Sequence, residues 1–164
     1  LDAIRSLEAA VQEAGEIHGI VLRYGWFYGP ATSIARGAPM LEALRRRQLP
    51  IVGKGGGTWS LLHIADAAAA AVAALEHGAP GIYNIADDEP TPPQDLVTFA
   101  AELLGAQPPL EIAFEEAEMS PMARSFYADN KRVSNAAIKR ALGIELLYPS
   151  YRDGLKAILE TSAT

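Results

Sequence analysis

Three residue types of a hydrolase triad occur at regular spacing near the middle of the chain, namely Ser60, His63 and Asp66. In such a triad the serine attacks the substrate, the histidine accepts its proton and the carboxylate orients the imidazole. Ser60 and His63 are three residues apart, so on one extended strand their side chains point to opposite faces. The sequence also contains no Gly-x-Ser-x-Gly elbow that would expose a nucleophile. We therefore interpret Asp66 as a helix cap and His63 as a hydrogen-bonded residue at a strand end.

A second candidate is the glycine-rich segment Gly53–Gly57, which resembles a phosphate-binding loop in composition. Such a loop requires serine or threonine after its lysine, and Lys54 is followed by Gly55. The dinucleotide fingerprint fails as well, because Thr58 stands where the third glycine belongs. The segment therefore predicts a flexible hairpin turn between two short strands.

Other charged clusters have ordinary explanations. The run Arg45–Arg47 is typical of a solvated helix end, although it is also a candidate phosphate site. The acidic segment 115–118 indicates a solvated loop, and His18 and His77 have no second ligand at metal spacing. The sequence therefore predicts no metal site, and it assigns no catalytic residue.

The aromatic run Trp26–Tyr28 is the most informative feature, because it directly follows an apolar segment that ends at Tyr24. In open α/β sheets, ligands bind beyond the carboxyl ends of the strands, where such loops project. Two interpretations stay open from the residues alone. The three rings either contact a ligand or cover the core.

The elements that must position these residues alternate between strand and helix along the chain. Hydrophobic periodicity and turn residues predict strands at 19–24, 49–52, 58–64, 81–86 and 111–114, with the first buried on both faces. Helices are predicted at 2–14, 38–48, 66–77, 91–104, 134–142 and 150–159, with Thr91 as a cap, and 115–130 is predicted to be an irregular loop. This alternation indicates one α/β unit over residues 1–164.

Composition narrows the classes of function. The formal net charge of −6 repels phosphate polymers, so no nucleic acid partner is expected. The absence of cysteine fits a reducing compartment, so we expect a cytoplasmic protein. No apolar run is long enough to span a bilayer, so no membrane partner is expected. The chain opens at Leu1, inside an amphipathic helix, which predicts a fragment of a longer protein.

Three segments together resemble the C-terminal half of an extended short-chain dehydrogenase/reductase, of the NAD-dependent epimerase/dehydratase family. Residues Leu22–Pro30 match that family's Leu-Arg-x-x-x-x-Tyr-Gly-Pro segment after the sixth strand. Residues Trp59–Ala68 match its His-Val-x-Asp-hydrophobic-Ala segment, and Gly81–Ile85 match its Gly-x-x-Tyr-Asn-Ile strand. Their order and spacing also agree, and the resemblance extends over residues 3–159.

The resemblance implies the C-terminal part of a Rossmann-like parallel sheet plus a small α/β substrate-binding domain. Residues 1–30 and 58–86 would mainly complete the sheet, and residues 31–57 and 87–164 would mainly bind substrate. The implied cofactor is NAD or NADP, with Tyr24, Gly25 and Trp26 near its nicotinamide end. The implied contacts to a small-molecule substrate come from Trp26, Phe27, Tyr28 and Trp59.

The chain departs from the family pattern in two ways. The family's glycine fingerprint is not present, and no Tyr-x-x-x-Lys proton relay stands ahead of Glu8, where the family carries it. If Glu8 matches the glutamate that commonly follows the lysine by four residues, Ile4 occupies the lysine position. Trp59 and Ser60 stand where sugar-nucleotide enzymes commonly carry an arginine, so an apolar or aromatic-stacking ligand is expected instead of a nucleotide sugar.

Two functions remain open at this point. The chain is either an inactive, substrate-binding portion of an oxidoreductase or isomerase, or part of a non-catalytic dinucleotide sensor of the same fold. Because half a parallel sheet would leave an edge and an apolar face uncovered, we also expect self-association or association with the missing N-terminal half.

Overall fold

A computed structural model describes residues 2–53 and 57–160, and it confirms the α/β class. The helices are α1 (Asp2–Gln12), α2 (Pro39–Arg45), α3 (Ile64–His77), α4 (Pro93–Leu103), α5 (Pro121–Ala128), α6 (Ala136–Leu142) and α7 (Tyr151–Glu160). The strands are β1 (Ile20–Tyr24), β2 (Trp26–Tyr28), β3 (Ile51–Gly53), β4 (Leu61–His63), β5 (Gly81–Ile85) and β6 (Glu111–Ala113). Within the described ranges, no helix is long and apolar enough to cross a bilayer.

The strands form three parallel pairs, β1 with β5, β2 with β4 and β3 with β6. Each pair joins strands that are distant in sequence, as parallel pairing requires a crossover connection. The strand pairing changes from β5 to β4 at Gly25, whose N–H donates to the Ile85 carbonyl at 2.8 Å. The next N–H, of Trp26, donates to the Ser60 carbonyl at 2.9 Å. One extended segment therefore links two pairs of strands at the position where the aromatic run begins.

The predicted hairpin around the glycine-rich segment is wrong. Val52 of β3 pairs with Ile112 of β6, whereas Leu62 of β4 pairs with Phe27 of β2. The two flanking strands therefore bury their apolar side chains against different partners and never pair with each other. Residues 54–56 of the segment lie outside the described residues.

Strand β1 is a parallel strand at the predicted place, but it is not buried on both faces. Its first three residues are half-buried, and Arg23 and Tyr24 are exposed. The physical reason is that, in the described part of the chain, β1 pairs along one edge, with β5. Helix α1 covers it loosely, since Ile4 and Leu7 remain 60% and 67% exposed.

Two buried clusters hold the helices against the strands. The larger contains Tyr28 of β2, Leu61 of β4, Leu96 of α4 and Leu155 of α7, all fully buried. The smaller contains Leu62 of β4, Ile85 of β5, Ile138 of α6 and two alanines of α3. As the sequence predicted, the small side chains of α3 allow close packing, with Ala67, Ala70 and Ala74 all buried. The predicted division into sheet-completing and substrate-binding ranges stays a prediction.

Helix α3 begins with a different cap from the one predicted. His63 caps it, because its Nδ1 accepts the Ala65 N–H at 3.2 Å. Asp66 instead lies in the first turn, where its carboxylate accepts the backbone N–H groups of Leu147 and Tyr148 at 2.7 and 3.0 Å. The carboxylate therefore fixes the loop before α7 instead of its own helix.

Two other segments also differ from prediction. The N-cap of α4 is Pro92 instead of Thr91, and Thr91 forms an antiparallel bridge with Trp59. The segment predicted to be an irregular loop contains α5, whose cap is the Ser120 hydroxyl, accepting the Ala123 N–H at 3.2 Å. Ser120-Pro121 is an ordinary helix-start signal that periodicity alone did not reveal.

Candidate functional site

A cleft of about 450 Å³ opens where β1 gives way to β2. The side chains around it are mostly aromatic. It is lined by Tyr24, Gly25, Trp26, Phe27, Trp59, Ser60, Phe126, Lys131 and Val133. Six residues were predicted to contact cofactor or substrate, and five of them line this one cleft.

Two tryptophans form the centre of the cleft. The rings of Trp26 and Trp59 stack with centroids 4.6 Å apart and planes 25° apart. Trp59 is nearly buried, and its indole N–H donates to the Phe126 carbonyl at 3.0 Å, which fixes the ring. Trp26 remains 39% exposed. The pair therefore presents a rigid aromatic surface with one side open to a ligand.

Tyr24 and Phe27 form a second ring pair in the lining of the cleft. Their ring centroids are 5.4 Å apart, and each side chain is 39% exposed. The Tyr24 hydroxyl donates to the Ala67 carbonyl over a long 3.5 Å. Burial raises the pKa of Tyr24 above its ordinary value, so its phenol is protonated at neutral pH and offers an O–H donor.

Tyr28, also predicted to contact substrate, does not line the cleft. The side chain is completely buried, its hydroxyl donates to the Ser150 carbonyl at 3.1 Å, and its ring lies edge-on to His63. Helix α7 covers it from the other side, since Gly154 contacts the ring. Tyr28 therefore supports the aromatic run from within the core.

The geometry offers no support for the hydrolase triad that the sequence analysis rejected. Ser60 donates to the Lys131 carbonyl at 2.7 Å and accepts the Val133 N–H at 3.0 Å. The His63 ring instead packs on Tyr148, with centroids 3.9 Å apart. The serine hydroxyl is thus used to attach residues 131–133 to the sheet.

Two arginines of the run Arg45–Arg47 also have side-chain partners. Arg47 donates to the Gln107 side chain at 2.9 Å, and Arg45 pairs with Glu42 at 3.6 Å on the same helix. Both arginines are exposed, in agreement with a solvated helix end. Within residues 2–53 and 57–160, no three acidic or histidine side chains converge as metal ligands.

Three residues that line the cleft were missed from the sequence, Phe126, Lys131 and Val133. Phe126 lies on α5, inside the segment predicted to be irregular, and its ring packs against Trp26 with centroids 5.6 Å apart. The Lys131 ammonium lies 4.2 Å above the Phe126 ring. The Ser120-Pro121 start signal could have revealed the helix, but no local signal places its ring beside Trp26.

Gly25 is required by the close approach of two backbones. A Cβ at this position would lie 2.6 Å from the Ser60 carbonyl oxygen, which cannot move without breaking the Trp26 pairing. We expect Gly25→Ala to lower the free energy of unfolding by about 2 kcal/mol and to alter tryptophan fluorescence. Urea unfolding measures the first effect, and emission spectra measure the second.

The matched control for this substitution is Gly105→Ala. Gly105 has a φ of +60° and open space around its Cβ direction. It should therefore lose about 1 kcal/mol from backbone strain, with an unchanged emission spectrum. Equal losses and equal spectra for the two variants would contradict the close-approach account.

Comparison with known proteins decides the family. The model of the NAD-dependent epimerase/dehydratase family matches residues 3–86, a range that includes all three segments that carry the sequence resemblance. A 3-diazoavenalumate denitrifying reductase from a Streptomyces species is 35% identical over 158 residues, 93% of this chain and 51% of that protein. The chain belongs to the NAD-dependent epimerase/dehydratase family. The cofactor class of this family is a nicotinamide dinucleotide, as the resemblance implied.

Solved structures agree on the fold. A conserved protein of unknown function from Silicibacter pomeroyi superimposes with a TM-score of 0.84 and 39% identity, covering 96% of this chain and 54% of the other. A human epimerase family protein solved with NADPH gives a TM-score of 0.70 at 24% identity, covering 87% and 48%. The chain thus spans about half the length of the relatives it matches, and it has the fold of their corresponding half.

Proposed function

We propose that this chain is the substrate-binding, C-terminal portion of an NAD(P)-dependent oxidoreductase or isomerase. The observation that carries the proposal is the cleft itself, five aromatic rings gathered at the carboxyl end of a parallel strand. Ligands of open α/β sheets bind at this end of the strands. Family membership and the reductase relative from Streptomyces support the same chemistry.

The residues of the cleft divide by position. Tyr24, Gly25 and Trp26, at the end of β1, would contact the nicotinamide end of the cofactor. Trp26, Phe27 and Trp59 would form one wall of the substrate pocket. The bound dinucleotide would accept or deliver a hydride, and these side chains would hold the reacting carbon against it and exclude water. The glycine fingerprint is absent from this sequence and no Tyr-x-x-x-Lys relay stands ahead of Glu8, so the chain alone should not turn over.

A dinucleotide sensor is the second candidate, and one observation favours it. Among the described residues that line the cleft, only Tyr24 and Lys131 are titratable. Ile4, at the position matched to the catalytic lysine, lies 60% exposed on α1. Glu8, which sets that register, is held by Arg23 through hydrogen bonds, the first of them 2.7 Å long. A scaffold without the proton relay would bind the dinucleotide and not react.

Titration of the full-length protein with NADH and NADPH separates these functions. We expect tryptophan emission to fall as the dinucleotide binds, and Trp26→Leu to weaken binding about tenfold by removing the open aromatic face. Tyr83→Phe, which removes a hydroxyl that is bonded to the Ala79 carbonyl and does not line the cleft, is the control and should bind normally. Consumption of the reduced dinucleotide with carbonyl compounds indicates an enzyme, and binding without consumption indicates a sensor. No binding of either dinucleotide would contradict both.

We also infer that the chain associates through its exposed apolar side chains, either with itself or with an N-terminal half. These lie on α1, the loop after it and α3, and they are Ile4, Leu7, Ile17, Val72 and Leu75, between 55% and 89% exposed. Water-exposed patches of this kind mark interfaces. Light scattering of the 164-residue chain should show a mass that rises with micromolar concentration. A constant monomer mass would contradict self-association and leave association with an N-terminal half.

A further inference from the structure

We propose that the cleft takes an aromatic substrate that carries a single carboxylate, and that Lys131 binds this carboxylate. The inference rests on the proposed function only in treating the cleft as the substrate pocket. It adds a specificity-determining residue, Lys131, and a chemical class of ligand.

The aromatic part of the ligand follows from the exposed rings. Tyr24, Trp26 and Phe27 are consecutive around Gly25, and each is 39% exposed. The Trp26 ring stacks on Trp59 and meets Phe126 edge to face, so a ligand would contact the part of the ring face that remains exposed. A flat ring of the substrate would cover this face and stack at favourable spacing, a contact worth more than its buried area alone. A rigid aromatic wall therefore selects a planar, unsaturated ligand over an aliphatic one.

The carboxylate of the proposed ligand is inferred from the contacts of Lys131. Its backbone N–H donates to the Thr58 carbonyl at 2.8 Å, and its carbonyl accepts the Ser60 hydroxyl at 2.7 Å. The side chain then crosses Phe126, with the ammonium 4.2 Å above the ring. Asp129 lies 3.4 Å from the same ammonium but does not line the cleft. A lysine ammonium has three N–H donors. With Asp129 and the Phe126 ring as neighbours, one donor remains for an anion at the rim of the aromatic wall.

The number of charged side chains in the cleft indicates how many charges the ligand carries. Of the described lining residues, Lys131 alone is charged, and no arginine is present. A nucleoside diphosphate is bound by several donors, typically bidentate guanidinium groups or a helix N-terminus. The Ser60 hydroxyl is already committed to residues 131 and 133. One ammonium beside an aromatic wall therefore matches one monoanionic group, and a diphosphate would be left without enough partners.

The sequence offers an unusually direct reporter for testing this. The two tryptophans of this chain, Trp26 and Trp59, both line the cleft, so the tryptophan emission of this chain reports on this site. In the full-length protein, we would titrate 3-phenylpropionate and its neutral amide, 3-phenylpropionamide, neither of which absorbs at 295 nm. We expect the acid to bind about tenfold more tightly than the amide, as a hydrogen bond to a charged group predicts.

Variants then assign the difference to Lys131. Lys131→Gln should weaken binding of the acid about tenfold and leave binding of the amide within about twofold. Lys131→Arg should retain most of the affinity for the acid, and Lys156→Gln, on the exposed surface of α7, is the control that should change nothing. Because the backbone contacts of residue 131 do not use its side chain, these variants should fold. Urea unfolding checks that they do.

Any one of three results would overturn the proposal. The first is equal binding of the acid and the amide, and the second is an equal loss of both in Lys131→Gln. The third is displacement of the acid by UDP-glucose at a lower concentration than the acid itself needs to bind. Dinucleotide binding is measured separately in the same protein. Failure of NADH and NADPH to bind, with the acid still selected by Lys131, would remove the cofactor assignment and keep this inference. Dinucleotide binding without selectivity for the acid would keep the cofactor assignment and remove this inference.

Discussion

Gly154→Ala is expected to lower the free energy of unfolding by about 2 kcal/mol, although alanine is the better helix former. Gly154 lies in α7, and a Cβ there would overlap the ring and hydroxyl of Tyr28. Tyr28 is completely buried and hydrogen-bonded to Ser150, so it cannot move aside. Overpacking of this kind costs about 1 to 3 kcal/mol or more, which exceeds the gain of about 1 kcal/mol in helix propensity.

Urea unfolding measures this effect, and a second glycine substitution shows its cause. Lys156→Gly, at an exposed position of the same helix, should lose about 1 kcal/mol from propensity alone. Gly154→Ala combined with Tyr28→Leu should recover part of the loss, because the smaller side chain vacates the space. If Gly154→Ala instead stabilises the protein, the packing of α7 on β2 is not as described.

Asp87 is expected to make the protein less stable as the pH rises from about 4 to about 8. The carboxyl is 1% exposed, and this burial raises its pKa to about 8, with the nearby Glu89 and Asp88 charges adding to the shift. The Glu89 N–H, 3.3 Å from Oδ1, opposes it. Between the unfolded and folded pKa values, the folded protein keeps a proton that the unfolded chain has lost. Stability therefore falls with a slope of at most about 1.4 kcal/mol per pH unit, and levels off above pH 8.

Asp87→Asn tests this assignment by removing the titrating group. We expect the variant to lose the slope between pH 4 and 8 and to be more stable than the natural protein at pH 8. The control is Asp88→Asn, because Asp88 accepts from Lys139 at 2.6 Å and its pKa is lowered, burial being opposed by the Lys139 and Asn135 bonds. Its loss should reduce stability near neutral pH and leave the slope. An unchanged slope in Asp87→Asn would contradict the prediction.

Local sequence patterns predicted many of the helices and strands correctly. The apolar run ending at Tyr24 predicts β1, and the alanine run predicts the close packing of α3, because both depend on neighbours in sequence. The burial of β1 was predicted wrongly, since burial depends on which strands and helices lie beside it. Likewise, the hairpin around Gly53 was wrong because the partners of β3 and β4 are far away in the chain.

Part of the candidate site could also be predicted from the sequence, and part could not. The aromatic run and Trp59 could be found from the sequence, because they lie in segments that resemble a known family. The position of Tyr28 could not, since its burial is decided by Gly154, on the last described helix. Lys131 also could not, because the bond that places its backbone at the cleft comes from Ser60, which is distant in sequence.

The most direct test of the account is a crystal structure of the full-length protein with bound NADPH. The account predicts the nicotinamide ring within van der Waals contact, about 4 Å, of the segment from Tyr24 to Trp26. It also predicts that the Trp26 and Trp59 stack remains in place beside the reacting carbon. A nicotinamide ring bound away from this cleft, with the aromatic wall facing solvent or another subunit, would contradict it.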